Sequence, residues 1–271
     1  MHDFEKDLLE LLEKNGHEIF VKDISDLDKE EFAAARHEGF GASDSSKLLG
    51  VNPFNSKEDL INEKVNYIHD EKISKKASVR KGAELEPNIL SKAYNLLLEA
   101  NKINKEGFII KPRHMYGNKD NHLTVNFDGV LVSIDEVGTT LEAKLVTRFG
   151  LKYYDFSKAY LRTVDGDWDE TYEEEPDTLN VPAINEYNIN DMCNKLADHY
   201  GIPVYYFTQV QQQLYFLDKP FGYLAVQNDD TWETYIFKIY RHDDLIEVLK
   251  SQAKKTWILV EAKRSIKKER P

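Results

Sequence analysis

A single cysteine, Cys193, is all the thiol this chain of 271 residues carries. That excludes an internal disulfide, a four-cysteine zinc site and a four-cysteine iron–sulfur cluster within one chain. No run of about 18 apolar residues occurs, so no membrane-spanning helix is expected. The first residues, MHDFEKDLLELLEKNG, are acidic and amphipathic. They lack the basic start and apolar stretch of a secretory signal, so the expected compartment is the cytoplasm. Positive charge is also scarce: 36 Lys and Arg stand against 48 Asp and Glu, a net charge of −12. Spread evenly, that balance would argue against nucleic acid as a partner. The spread is uneven. Asp165 to Asp177, DGDWDETYEEEPD, holds much of the acid. Basic residues gather at Lys72, Lys75, Lys76, Arg80 and Lys81, and from Lys254 to Arg270. A basic channel on an acidic protein is physically allowed, and so are two solvated faces.

Hydrophobic residues make up 41% of the chain, enough at this length for a sizeable core. Helical spacing of Phe4, Leu8, Leu11 and Leu12 predicts a helix over 3–14. Further helices are expected over Leu27–Arg36 with Asp26 or Asp28 as cap, and from a Ser43/Asp44 cap to Leu49-Gly50. Another is expected from Ser56 to Asn66, and a long one from Lys81-Gly82 to about Ala100 with Pro87 in its first turn. Strands follow: Gly107–Lys111, Leu123–Ile134, and TTLEAKLVT from Thr139 to Thr147, with a hairpin turn at Asp135 to Gly138. In the last strand Leu141, Ala143 and Leu145 share one face, and Glu142, Lys144 and Val146 the other. Residues 155–200 are acidic and turn-rich and read as an insertion, partly helical near its end. A helix over Pro203–Leu217, strands over Phe221–Gln227 and Thr234–Tyr240, and a helix over Asp243–Ser265 complete the chain. The expected class is α/β (α+β): one domain over 1–271, its core at about 36–240, with a mixed central sheet flanked by helices and extra N- and C-terminal helices.

Asp128 and the run Glu142-Ala143-Lys144 form the sharpest chemical pattern. A hard cation such as Mg²⁺ takes oxygen ligands, and two carboxylates on neighbouring strands plus the Ala143 backbone carbonyl can supply them. Lys144, on the face of Glu142, can hold an attacking water or a phosphate. An exposed strand can equally carry Glu-x-Lys as a solvated face. Glu86, in the helix before the sheet, can reach the same ion, or be an ordinary acidic residue of a first helical turn. Among Gln209, Gln211, Gln212 and Gln213, residues 209 and 213 share a helix face and 211 points elsewhere. Arg36 with Gly39-x-Gly41-Ala42-Ser43-Asp44 can grip a terminal phosphate through Arg36, Ser43 and backbone amides, or be a cap beside a surface arginine.

In order, these pieces are Arg36, Gly41-Ala42-Ser43-Asp44, Gly82-x-x-Leu85-Glu86-Pro87, Phe127-Asp128-Gly129, Glu142-x-Lys144 and Gln209-Val210-Gln211. Leu48-Leu49-Gly50-Val51-Asn52-Pro53-Phe54 follows the serine turn, and Tyr205-Tyr206 precedes the glutamines. The series, from about Arg36 to Val226, resembles the YqaJ-type viral recombinases, relatives of the phage lambda exonuclease in the PD-(D/E)XK nuclease superfamily. That resemblance implies a PD-(D/E)XK core with Asp128, Glu142 and Glu86 as metal-binding acids, Lys144 as the catalytic lysine and Gln211 as the motif glutamine. It implies Arg36 and Ser43 in a 5′-phosphate pocket, and Mg²⁺ as cofactor, two ions per site, with Mn²⁺ able to substitute. It further implies double-stranded DNA ends as substrate, a homotrimer and a single-strand annealing partner. Phe127 stands where the superfamily name has proline, and the stretch between Lys144 and Gln209 is longer than compact members need. The expected function is a 5′-to-3′ exonuclease leaving 3′ overhangs for phage-type recombination. The alternatives are a PD-(D/E)XK endonuclease, restriction-type or structure-specific, and a non-catalytic DNA-binding accessory protein.

Overall fold

The computed structural model describes residues 4–15, 18–27, 29–67, 76–133, 137–164, 167–169 and 181–268. The expected Asp28 cap, Lys72, Lys75, half of the Asp135–Gly138 turn and most of the Asp165–Asp177 stretch lie outside these residues.

Helix α1 (Phe4–Lys14) buries Leu8 and Leu12, as the 3.6-residue spacing dictates. Strand β1 (Ile19–Asp23) leads to α2 (Lys29–Arg36), β2 (Phe40–Gly41), a 3₁₀ turn over Ala42–Asp44 and α3 (Ser45–Leu48). Helix α4 (Lys57–Asn66) starts where the sequence places it. The Ser56 hydroxyl accepts the Asp59 amide at 3.1 Å, and the Asp59 carboxylate accepts the Ser56 amide at 2.8 Å, a reciprocal capping box. Helix α5 runs over Ala77–Glu99, longer than expected, so Pro87 lies within the helix and not in its first turn.

Strands β3 (Phe108–Ile110), β4 (His114–Asn118), β5 (Leu123–Val125), β6 (Val130–Val132) and β7 (Val137–Val146) follow. Strands β8 (Leu161–Val164) and β9 (Asp167–Asp169) precede α6 (Ile189–Tyr200) and α7 (Val204–Leu217). The chain ends with β10 (Phe221–Asn228), β11 (Thr234–Tyr240) and α8 (Asp243–Lys268). Two sheets result, with strand orders β1-β4-β5-β2 and β3-β6-β7-β10-β11-β8-β9. In the larger sheet β7 and β10 are parallel and β10 and β11 antiparallel, so the sheet is mixed as expected.

One strand expectation is corrected. The apolar run Leu123–Ile134 is two strands in different sheets: β5 pairs with β4 and β2, while β6 pairs with β3 and β7. The break falls at Asn126 to Gly129, where backbone and side chains crowd. A Cβ at Gly129 would sit 2.5 Å from Ile109 Cδ1. Residues 155–200, read as an insertion helical near its end, form α6 there and also donate β8 to the main sheet by antiparallel pairing with β11. Strands β1 and β4, for which the sequence offered no expectation, pair with each other antiparallel. In β4 a Cβ at Gly117 would meet the Phe20 ring at 2.0 Å, so the missing side chain is what lets β1 lie across it.

The main sheet separates two hydrophobic clusters. On one side α5 packs Ile89, Leu90, Ala93 and Leu97 with Leu141, Ala143 and Tyr223. On the other, α7 joins Phe207, Val210 and Leu214 to Leu224, Val226 and the α8 residues Leu245 and Trp257. Helix α7 is buried nearly all round from Phe207 to Leu217, including Gln211, Gln212 and Gln213. A buried amide without partners costs about 1–3 kcal/mol, so each of these glutamines needs a hydrogen bond.

Candidate active site

Strand alternation sends Glu142 to the α7 side of the sheet, where its side chain is 1% exposed. Glu142 Oε1 accepts hydrogen bonds from Lys144 Nζ and from Gln209 Nε2. Its Oε2 accepts Gln213 Nε2 at 2.6 Å, and Gln213 Oε1 in turn accepts the Thr140 hydroxyl at 2.9 Å. The i, i+4 spacing of Gln209 and Gln213 puts both amides on the face of α7 that overlies β7. Asp128, in the break between β5 and β6, accepts the Ala143 amide at 3.2 Å and lies 3.6 Å from Lys144 Nζ. One ammonium thus stands against two carboxylates, and it also lies 5.5 Å from the Tyr206 ring centre.

Burial pushes the Glu142 carboxyl up to about 7, and the Asp128 charge adds to this. Lys144 and Gln213 oppose the rise without cancelling it. Burial works against the Lys144 ammonium, but Glu142 and Asp128 outweigh it and hold its pKa above the ordinary lysine value. A buried carboxyl raised in this way is short of positive charge, and the neighbouring Asp128 carboxylate offers further hard oxygen atoms. That donor chemistry fits a hard divalent cation. Among the described residues, no three His, Cys, Asp or Glu side chains come together in a metal-holding group. Glu86 is not gathered with Asp128 and Glu142: its carboxylate pairs with Lys111.

Gln211 also points elsewhere. Its Nε2 donates to the Tyr240 carbonyl at 2.8 Å and its Oε1 accepts the His242 amide at 2.8 Å. It therefore ties α7 to the end of β11 and the start of α8. The motif run Gln209-Val210-Gln211 is present, but Gln209 and the unassigned Gln213 are the residues that meet Glu142. Their shared helix face was the signal available in the sequence. Tyr206, three residues before Gln209 and so on the same helix face, carried the same signal and lies against Lys144.

A second cluster forms around the serine turn. Arg36 Nη2 donates to the exposed Ser43 hydroxyl at 2.7 Å. Beneath them Asp44 is buried and accepts Lys64 Nζ at 2.8 Å and the Gly41 amide at 3.2 Å. Lys64 Nζ also donates to the Arg36 carbonyl at 2.8 Å. Burial alone would raise the Asp44 carboxyl, but Lys64, Arg36 and Lys47 hold it well below the usual carboxylate range. The Arg36–Ser43 pair is therefore backed by fixed charge, and its guanidinium and hydroxyl reach solvent side by side.

Residues 31–219, well over half of the chain, match the YqaJ-like viral recombinase domain. The chain belongs to that family. Two solved structures share the fold of this YqaJ-like protein. One is an alkaline exonuclease (LHK-Exo) from Laribacter hongkongensis, at TM-score 0.51 and 14% identity over 89% of this chain and 96% of that one. The other is LHK-Exo in complex with dAMP, at TM-score 0.50 and 14% identity with the same coverage. No curated protein matches the chain in sequence. The fold is the PD-(D/E)XK nuclease fold, as the motif series implies. Family and fold together support a DNA nuclease. No described helix of the YqaJ-like chain is long and apolar enough to cross a membrane.

Proposed function

We propose that this YqaJ-like protein is a Mg²⁺-dependent 5′-to-3′ exonuclease that digests one strand of linear duplex DNA and leaves 3′ single-stranded overhangs for recombination. The observation that carries this is the convergence of Asp128, Glu142 and Lys144 within the fold of a known exonuclease. Asp128 and Glu142 would hold the cation, with the Ala143 carbonyl as a further oxygen and Mn²⁺ as a substitute ion. Such an ion, when bound, polarises a phosphate oxygen and acidifies a water. Gln209 and Gln213 orient the Glu142 carboxylate so that it presents the same oxygens at each turnover. Lys144 places positive charge where the phosphate gains negative charge in the transition state. Arg36 and Ser43 would hold the 5′ phosphate, selecting ends over internal sites. A homotrimer and an annealing partner are proposed on the family resemblance.

The test is digestion of a 5′-phosphorylated linear duplex, with and without Mg²⁺, beside a covalently closed circle of the same sequence. Metal-dependent loss of the linear form with single strands left behind is expected. Cutting of the circle would replace this proposal with the endonuclease alternative. Arg36→Ala should lower the rate on 5′-phosphate ends by about tenfold or more while sparing 5′-hydroxyl ends, since a charge-assisted phosphate contact is worth about 1.5–3 kcal/mol. Equal loss on both ends would remove the pocket.

The raised Glu142 pKa gives a pH dependence. A protonated Glu142 cannot ligate, so proton and cation compete, and the proton wins more often as pH falls below about 7. Metal affinity should drop by up to tenfold per pH unit below that point and level off above it. Calorimetric Mg²⁺ titrations at pH 6, 7 and 8 check this; a flat affinity would mean that Glu142 is ionised throughout.

A further inference from the structure

Gln212 is 0% exposed and takes no part in the Glu142 contacts. Its Nε2 donates to the Phe40 carbonyl at 2.9 Å and to the Thr124 carbonyl at 2.7 Å. Its Oε1 accepts the Ser45 hydroxyl at 2.7 Å, which lies at the same distance from the Ala42 carbonyl. Both amide hydrogens and one acceptor position of Oε1 are thus engaged by two segments distant in sequence. Phe40 and Ser45 bracket the turn that carries Ser43. Thr124 lies in β5, which runs straight into the break holding Asp128, and β5 pairs in parallel with Phe40-Gly41. The next residue on the same helix, Gln213, holds Glu142. One helical step therefore joins the serine turn, the segment leading to Asp128, and the Glu142 carboxylate. A hydrophobic residue of similar size would fill the space as well, so what the amide adds is a fixed spacing between the segments it ties.

We propose that Gln212 is a positioning residue that sets the span between the Arg36–Ser43 turn and the Asp128–Glu142–Lys144 centre. It thereby fixes how many nucleotides separate a held 5′ phosphate from the bond that is cut. This rests on the end-holding and cleavage roles given to those two clusters above. Misplacement of a scissile bond by about 1 Å can cost on the order of a hundredfold, so a loosened span shows in product length and in end preference before it shows in folding.

The experiment digests 3′-labelled and internally labelled duplexes bearing either a 5′ phosphate or a 5′ hydroxyl, with Mg²⁺, and measures the released products by mass. Wild type should release products of one uniform length and favour the phosphate end. Gln212→Met keeps the volume and loses all three hydrogen bonds. It should release mixed lengths and bring the 5′-phosphate preference down by about tenfold, while Mg²⁺ affinity stays unchanged. Uniform product length with the preference intact, even at a lower rate or lower melting temperature, overturns the proposal. If Gln212→Met does not fold, Ser45→Ala decides. It removes the Ser45 bond and leaves the Nε2 bonds to the Phe40 and Thr124 carbonyls in place, and it must broaden product length for the proposal to stand. Wild type with no preference between the two ends would overturn the end-holding role itself, and the proposal with it. Wild-type preference combined with an unaltered variant overturns only the role of Gln212.

Discussion

Lys144→Ala should leave duplex binding within a few-fold of wild type and lower the rate of cleavage by about 10²–10³-fold or more, the usual cost of removing one charge-stabilising group from a transition state. The geometry makes the loss severe because, among the described residues, the Lys144 ammonium is the cation that meets both carboxylates. It contacts Glu142 and lies 3.6 Å from Asp128. Without it the two carboxylates repel each other, and the Glu142 carboxyl, already pushed up to about 7, rises further. The variant should therefore need more Mg²⁺ as well as turning over slowly. Lys144→Arg keeps the charge but swaps a compact ammonium for a planar fork, and little activity should return. The check is single-turnover cleavage at saturating Mg²⁺ alongside a binding measurement in Ca²⁺. Cleavage by Lys144→Ala at rates close to wild type would show that chemistry occurs elsewhere.

Lys64→Met should be the most destabilising of the exposed-looking lysine substitutions, because Lys64 is in fact buried. Removing its ammonium leaves the Asp44 carboxylate buried with Lys47 at 3.7 Å as its nearest cation. Breaking a buried pair from one side costs about 3–5 kcal/mol. The double variant Asp44→Asn with Lys64→Met should recover a large part of that cost, since no uncompensated charge remains. Denaturant unfolding of the three variants measures this, and additive losses in the double variant would refute the coupling. The pH dependence has a definite sign. The folded-state pKa of Asp44 is depressed, so its contribution is present above the unfolded carboxyl value and fades as pH falls toward the folded one. In Lys64→Met that acid-side loss should shrink, because the depression comes first from Lys64 once burial is set aside.

Local pattern carried a good part of the fold. Ser56 followed three residues later by Asp59 marks a helix start whatever surrounds it, because the capping box is made by neighbours in sequence. The alternation in Leu141–Val146 shows which side chains leave the sheet together, because the strand period is two. The α7 pattern placed Gln209 and Gln213 on one face for the same kind of reason. Where the cause lay far away in sequence, pattern failed. Strand β4 needs Gly117 to accept the Phe20 ring from β1, and neither residue signals the other. The run Leu123–Ile134 holds a local turn signal in Asp128-Gly129, but only the packed structure shows that its halves serve different sheets.

The amino-acid sequence by itself determined the family and the class of fold and singled out Asp128, Glu142, Lys144, Arg36 and Ser43 as candidates, since these depend on residue type, order and short spacing. Tertiary structure alone decided which glutamine serves which partner. Four amides on one largely buried helix look alike in sequence, yet at about 100° per residue Gln211, Gln212 and Gln213 meet different walls and Gln209 shares that of Gln213. Gln209 and Gln213 meet Glu142, Gln211 meets the end of β11, and Gln212 meets the serine turn and β5. The same distinction separates Glu86, which a motif offers to the metal and Lys111 holds instead, from Lys64, which no motif marks and which packing buries against Asp44. The physical reason is that a carboxylate or amide finds its partner through space, at distances that only the packed sheet and helices set.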